Sequence, residues 1–222
     1  MVGIFQGLYR FHRVTVRMSQ HHTQCVSAAG IQAVTKMRTG MLQCVVILAA
    51  FAASAAKADL ENENLLVTAP PGYKVGFSDK KPNMLMTEFV PAKETVENWT
   101  EMVTVQVFFG LKATPQQFMD DMVKRWRTAC PDAEEAHTVA DAPENGYPTL
   151  VWLLSCPKNP GTGKPEITWF KAVQGNDSFY LVQKAFKFEP SKEQITRWMG
   201  YLRKVSVCDS RIADRACPKA AD

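Results

Sequence analysis

Ile167-Thr168-Trp169-Phe170-Lys171-Ala172-Val173-Gln174, then Gly175-Asn176-Asp177-Ser178, then Phe179-Tyr180-Leu181-Val182-Gln183-Lys184-Ala185-Phe186-Lys187-Phe188: two apolar, aromatic-rich runs flank a turn built on Gly-Asn-Asp, the pattern of a β-hairpin. A link that short makes its strands antiparallel neighbours. Successive side chains of a strand point to opposite faces, so Trp169 and Phe170 part company, as do Phe179 and Tyr180. One member of each pair could therefore stand outside the main core.

Working outward, Thr149 to Cys156 and Ala136 to Ala140 read as two more strands around the turn sequence Pro143-Glu144-Asn145-Gly146. Upstream, Trp99 to Phe109 alternates: Val103, Val105, Val107 and Phe109 share one face, and Thr100, Thr104 and Gln106 the other. The alternation predicts a sheet with one well-packed face and one more polar face. Short extended pieces precede it at Leu65 to Thr68, Tyr73 to Phe77 and Met84 to Val90, separated by Pro70-Pro71-Gly72 and Asp79-Lys80-Lys81-Pro82.

Two helices are signalled by their starts. Thr114 and Gln117 form a capping-box pair with Pro115 at the first helical position, and Phe118, Met122 and Trp126 make an apolar stripe that should end by Cys130-Pro131. Ser191 and Gln194 repeat the capping signal before Ile195, Trp198, Met199 and Leu202. The order strands, helix, strands, helix predicts an α+β domain, an antiparallel sheet flanked by helices.

The chain before Asp59 differs in kind. Residues 1–58 hold no Asp or Glu and end in Val45-Val46-Ile47-Leu48-Ala49-Ala50-Phe51-Ala52-Ala53, followed by Ser54-Ala55-Ala56-Lys57-Ala58. A basic start, an apolar middle and a small-x-small end outline a secretory signal peptide cleaved after Ala58, with Met37 the better start and residues 1–36 an overcalled start or separate extension. An organellar transit peptide ahead of a second signal is the other reading of this leader. The apolar run is shorter than the ~20 residues that span a bilayer, so no transmembrane segment is expected in the mature form.

Residues 59–222 then make one domain with 20 basic and 22 acidic residues, a formal charge of −2 rather than the whole chain's +4. That removes the electrostatic case for nucleic-acid binding. Four cysteines remain, Cys130, Cys156, Cys208 and Cys217. Export predicts disulfides, and of the three possible pairings Cys130 with Cys156 and Cys208 with Cys217 are favoured, the second closing a short loop near the C-terminus.

Candidate chemistry is sparse. His137 is the one histidine after the leader, so a zinc site of several histidines cannot be built and no Gly-x-Ser-x-Gly elbow accompanies it. Gly161-Thr162-Gly163-Lys164 lacks the upstream glycine and the following Ser or Thr of a phosphate-binding loop and reads as a turn. No Cys-x-x-Cys supports thiol exchange. Asp120-Asp121 and Glu134-Glu135 read as solvated surface charges. Asn98-Trp99-Thr100 matches a glycosylation acceptor at the start of a predicted strand. Neither cofactor, metal nor catalytic residue is expected. The aromatics of the late strands are the suggestive group, and Tyr73, Trp169 and Tyr180 are the candidate lining of a ligand or partner groove.

The element order, the Pro-Pro-Gly-Tyr segment at Pro70 to Tyr73 and the exported single domain together resemble the PsbP-like group, which includes thylakoid-lumen PsbP and periplasmic DcrB-like proteins. The resemblance covers most of Leu65 to Val207 and implies an α/β/α sandwich of PsbP-like type with an accessory or binding role. The sequence thus predicts a periplasmic or secreted binding protein without catalytic activity, whose partner is an envelope protein or small ligand. An envelope hydrolase using carboxylates assembled by the fold is the alternative, and an organellar lumen the alternative location. N-terminal sequencing of the exported protein is expected to read from Asp59, and a start far from that position would refute the cleavage assignment.

Overall fold

The computed structural model describes residues 60–219. The leader, with its signal-peptide and Met37 assignments, lies outside the described residues. Among the described residues nine strands are present: β1 (Glu63–Leu66), β2 (Tyr73–Lys81), β3 (Met84–Pro91), β4 (Glu101–Phe109), β5 (His137–Asp141), β6 (Thr149–Cys156), β7 (Glu166–Gln174), β8 (Ser178–Phe186) and β9 (Ser206–Asp209). Helix α1 (Pro115–Ala129) follows β4 and α2 (Lys192–Lys204) follows β8. Both helices carry the capping boxes expected from Thr114/Gln117 and Ser191/Gln194.

Seven strands form one antiparallel sheet in the order β2-β3-β4-β8-β7-β6-β5, while β1 and β9 pair separately as a two-stranded ribbon. Two meanders, β2-β3-β4 and β5-β6-β7-β8, meet where β4 pairs with β8, from Glu101 opposite Phe186 to Phe109 opposite Ser178. Both edge strands are bulged, β2 between Val75 and Phe77 and β5 between Thr138 and Ala140. Bulges and the edge lysines Lys74, Lys80 and Lys81 discourage edge-to-edge pairing.

The expected α/β/α sandwich is corrected. A helix about 10 Å across covers two or three strands spaced ~4.8 Å, whereas seven strands span roughly 29 Å. One helix against each part of such a sheet does not make a layer. The architecture is mostly antiparallel β, with two helices and a ribbon. Helix α1 places Met122 and Trp126 on Leu150, Trp152, Leu154, Phe170 and Leu181. Helix α2 places Trp198 and Leu202 on Val103, Val105, Trp169, Val182 and Phe186. Beyond α1, Trp99 covers Val90 and Met102.

Other expectations shift in detail. The Asp79-Lys80-Lys81 stretch belongs to β2, so the turn tightens to Pro82-Asn83. Asn98 lies exposed in a bend ahead of β4 rather than in the strand itself. The face of β4 expected to be polar is also buried: Gln183 Nε2 donates to Gln106 Oε1 at 2.8 Å with both side chains out of water. Pairing amide with amide removes the cost of burying either.

Disulfides join Cys130 to Cys156 and Cys208 to Cys217, the pairs favoured from the sequence. The first ties the end of α1 to β6, and the second holds the C-terminal segment to β9. They span 26 and 9 residues. Chain entropy therefore predicts that replacing Cys130 and Cys156 by alanine costs roughly 3.5 kcal/mol and replacing Cys208 and Cys217 roughly 2.6 kcal/mol. Urea titrations of the two double variants test the order; a smaller loss at Cys130/Cys156 would contradict it.

Candidate functional site

The face of the sheet beneath α2 is apolar by alternation, except at two positions. Lys171 stands between Trp169 and Val173 on β7, and Lys184 between Val182 and Phe186 on β8. Both lysines are sealed from water, at 1% and 0% exposure.

Lys184 Nζ donates to Glu101 Oε2 at 2.8 Å and to Tyr73 Oη at 2.9 Å, and Tyr73 Oη donates to the same Glu101 oxygen at 2.8 Å. The ammonium lies 3.8 Å from the centroid of Trp198 and 4.4 Å from that of Phe186. Aromatic faces supply the electrostatic attraction that water would otherwise give. Burial lowers the Lys184 pKa to about 7 against the support of Glu101. Burial would raise the Glu101 carboxyl, but the hydrogen bonds and charge of Lys184, with Tyr73, hold it below its ordinary value. Tyr73 is pushed up, first by burial and then by Glu101. A lysine tuned near neutrality is the kind used as base or Schiff-base former. Here α2 roofs it, so the group positions the helix.

Lys171 Nζ donates to the carbonyls of Leu202 and Val205 at 3.0 and 2.8 Å and pairs with Glu144. A cation there satisfies carbonyls that the last helical turn leaves open. A third polar knot holds the ribbon. Glu63 on β1 accepts from the backbone N–H groups of Asn176, Asp177 and Ser178 and from Tyr180 Oη at 3.0 Å. A Cβ on Gly175 would stand 2.2 Å from the Glu63 carboxylate, which explains glycine in that turn.

The candidate aromatics divide between two clusters. Tyr73 is half-buried and meets Trp198 edge-on at 5.4 Å, and Trp169 packs in the same cluster against Phe186. Tyr180 packs with Tyr147, Val173 and Val207. Trp169 and Tyr180 are only 6% and 3% exposed, so the structure places them in the core. His137 is exposed on β5, Asp120 and Asp121 are exposed on α1, and Glu134 and Glu135 are exposed before β5. Gly161 to Lys164 form a turn around Asn159, whose carbonyl accepts from Thr162 and Gly163.

An open concavity lies elsewhere, between the β1 segment and the outer side of α2. Leu65, Leu66, Val67, Tyr201 and Val205 line a half-open groove of about 410 Å³, with Leu60 and Lys204 also on its wall. Tyr201 Oη donates to the Thr68 carbonyl at 2.7 Å and so fastens one wall to the other. Burial pushes the Tyr201 hydroxyl up to about 12. The sequence signal was Leu65-Leu66-Val67, since a strand's alternation cannot turn three consecutive apolar residues to one core. Among the described residues no helix is long and apolar enough to cross a membrane, and no group of three metal-ligating side chains converges.

A protein-family model matches residues 72–209. The chain belongs to that family. No curated protein matches. Solved structures that match include a point mutant of the protein Mog1, 12% identical over 65% of this chain and 83% of that one, with a TM-score of 0.37. The Saccharomyces cerevisiae Ran-binding protein Mog1p is 13% identical over 64% of this chain and 85% of its own, with a TM-score of 0.36. The PsbP-like resemblance is corrected: neither structure named here is a PsbP protein, and element order alone does not separate one sheet family from another.

Between pH 7 and 9 the unfolded chain keeps the Lys184 proton while the folded protein, with Lys184 at about 7, sheds it, so stability rises with pH through that window. Urea titrations at pH 7 and pH 9 should show a smaller rise in Lys184→Met than in the unaltered protein. Equal rises in the two would contradict the assignment.

Proposed function

We propose that this protein is an exported accessory or binding protein of the periplasm, without a catalytic step of its own, and that it binds its ligand or partner in the groove between β1 and α2. The half-open apolar groove carries the reading. Its walls are held in advance of any ligand: α2 is held to the sheet by the Lys184 ammonium against the Trp198 ring and by Lys171 on the Leu202 and Val205 carbonyls, and β1 through Glu63. Binding to a preformed surface avoids the entropy of ordering it. The export proposal rests on the acid-free leader and is supported by two disulfides, which persist in oxidising compartments.

A photo-crosslinking residue at Val67, on the groove wall, is expected to give an adduct in intact cells, while the same residue at Asp120, exposed on α1, is not. Equal labelling at both positions, or none at Val67, would overturn the groove as the binding surface.

A further inference from the structure

We infer that the groove between β1 and α2 is a site for a single-chain carboxylate, its alkyl tail against Leu65, Leu66 and Val205 and its head group at Lys204. This rests on the groove being the binding surface. The volume of about 410 Å³ is that of a small-molecule site, and its lining is largely apolar. An apolar lining alone would take any greasy group. The charge on its wall decides between them.

Lys204 is exposed and has no carboxylate within ion-pair distance among the described residues. A lysine in the last turn of a helix ordinarily turns to the open carbonyls of that end. Here Lys171 occupies the Leu202 and Val205 carbonyls from below. Lys204 is thereby free to meet a ligand. Arg197, exposed and seven residues before Lys204 on the same side of α2, adds to its sign, and the one acid of the helix, Glu193, sits at the far end and accepts from Ser191. Cations along one side of a helix draw anions toward the adjoining cleft.

The nearby acids do not cancel that field at the wall. Glu63 turns its carboxylate to the β7–β8 turn and Tyr180, and Glu61 is exposed and does not line the groove. Tyr201 already spends its hydroxyl proton on the Thr68 carbonyl, which leaves Lys204 as the charged donor for a head group, beside the Thr68 hydroxyl. A charge-assisted bond from an ammonium to a carboxylate outweighs a neutral hydrogen bond, so head-group charge should govern affinity once the tail is seated.

Isothermal titration of the exported protein with decanoate, 1-decanol and decyltrimethylammonium tests this. Decanoate is expected to bind about tenfold or more tightly than decanol, the cation least, and Lys204→Gln to erase the advantage of decanoate while Lys204→Arg keeps it. Leu66→Asp is expected to weaken both decanoate and decanol, and decanoate to suppress the adduct formed from Val67. Equal affinity for decanoate and decanol in the unaltered protein would overturn the carboxylate assignment. If none of the three ligands binds while the Val67 adduct persists, the ligand class is wrong and the groove remains the binding surface; if both fail, so does the binding surface.

Discussion

Two ammonium groups shut away from water between the sheet and α2 set the terms for the rest of the molecule. Taking a lysine charge into a protein interior costs several kcal/mol unless its hydrogen bonds and charge are met there. Lys184 meets that demand with Glu101, Tyr73 and the face of Trp198, and Lys171 with Glu144 and the last carbonyls of α2. Two of these partners are on the helix itself. Apolar burial of Trp198 and Leu202 would hold α2 against the sheet in several neighbouring positions, whereas a cation–π contact at its middle and hydrogen bonds at its end hold it in one. Removing either partner would strand a buried charge, at about 3–5 kcal/mol.

The other helix is secured by different means. Beneath α1 the contacts are almost wholly apolar: Trp152 stacks on Phe170 at 5.0 Å, Trp126 meets Phe170 edge-on, and Phe118 stacks on Phe179 at 4.7 Å. Position comes from the covalent bond between Cys130, at the end of the helix, and Cys156 on β6. One sheet therefore carries a helix fixed by charge on one face and a helix fixed by a disulfide on the other. The outer side of α2 inherits its exactness from the lysines below it, and that is what gives the β1–α2 groove a defined wall.

Local signals were legible in the sequence because local physics produces them. The hairpin at Gly175-Asn176-Asp177 and both capping boxes needed only neighbouring residues. The pairing of β4 with β8 was not legible, because residues such as Thr104 and Gln183 meet across a long stretch of chain and nothing in either run names the other. Strand β9 is four residues long and pairs only with β1, too short for a periodic signal. The sandwich expectation failed on counting: two helix signals were read as two layers, when the sheet is seven strands wide. Tyr73, Trp169 and Tyr180 drew notice as aromatics, although aromatics on the central strands of a sheet are mostly core, as Trp169 and Tyr180 are. Lys171 and Lys184 carried the missed signal. Each shares its alternation with Trp169, Val173, Val182 and Phe186, so a strand that buries those residues must bury the lysines too.

The groove also depends on a segment that precedes the family match. The family match runs over residues 72–209, which takes in α2, Lys171, Lys184 and β9, while Leu60 and the β1 segment through Thr68 precede it. One wall thus lies within the matched residues and the other precedes them. That segment is anchored by polar contacts: Glu63 on the β7–β8 turn, Tyr201 on Thr68, and the pairing of β1 with β9, itself tied to the C-terminal segment through Cys208 and Cys217. A surface strand of four residues has little stability alone. Since α2 supplies Lys204 and the β1 segment supplies Leu65, Leu66 and Val67, the charge of the groove stands on a helix fixed by the buried lysines, whereas its capacity for an apolar tail requires β1 to be in place.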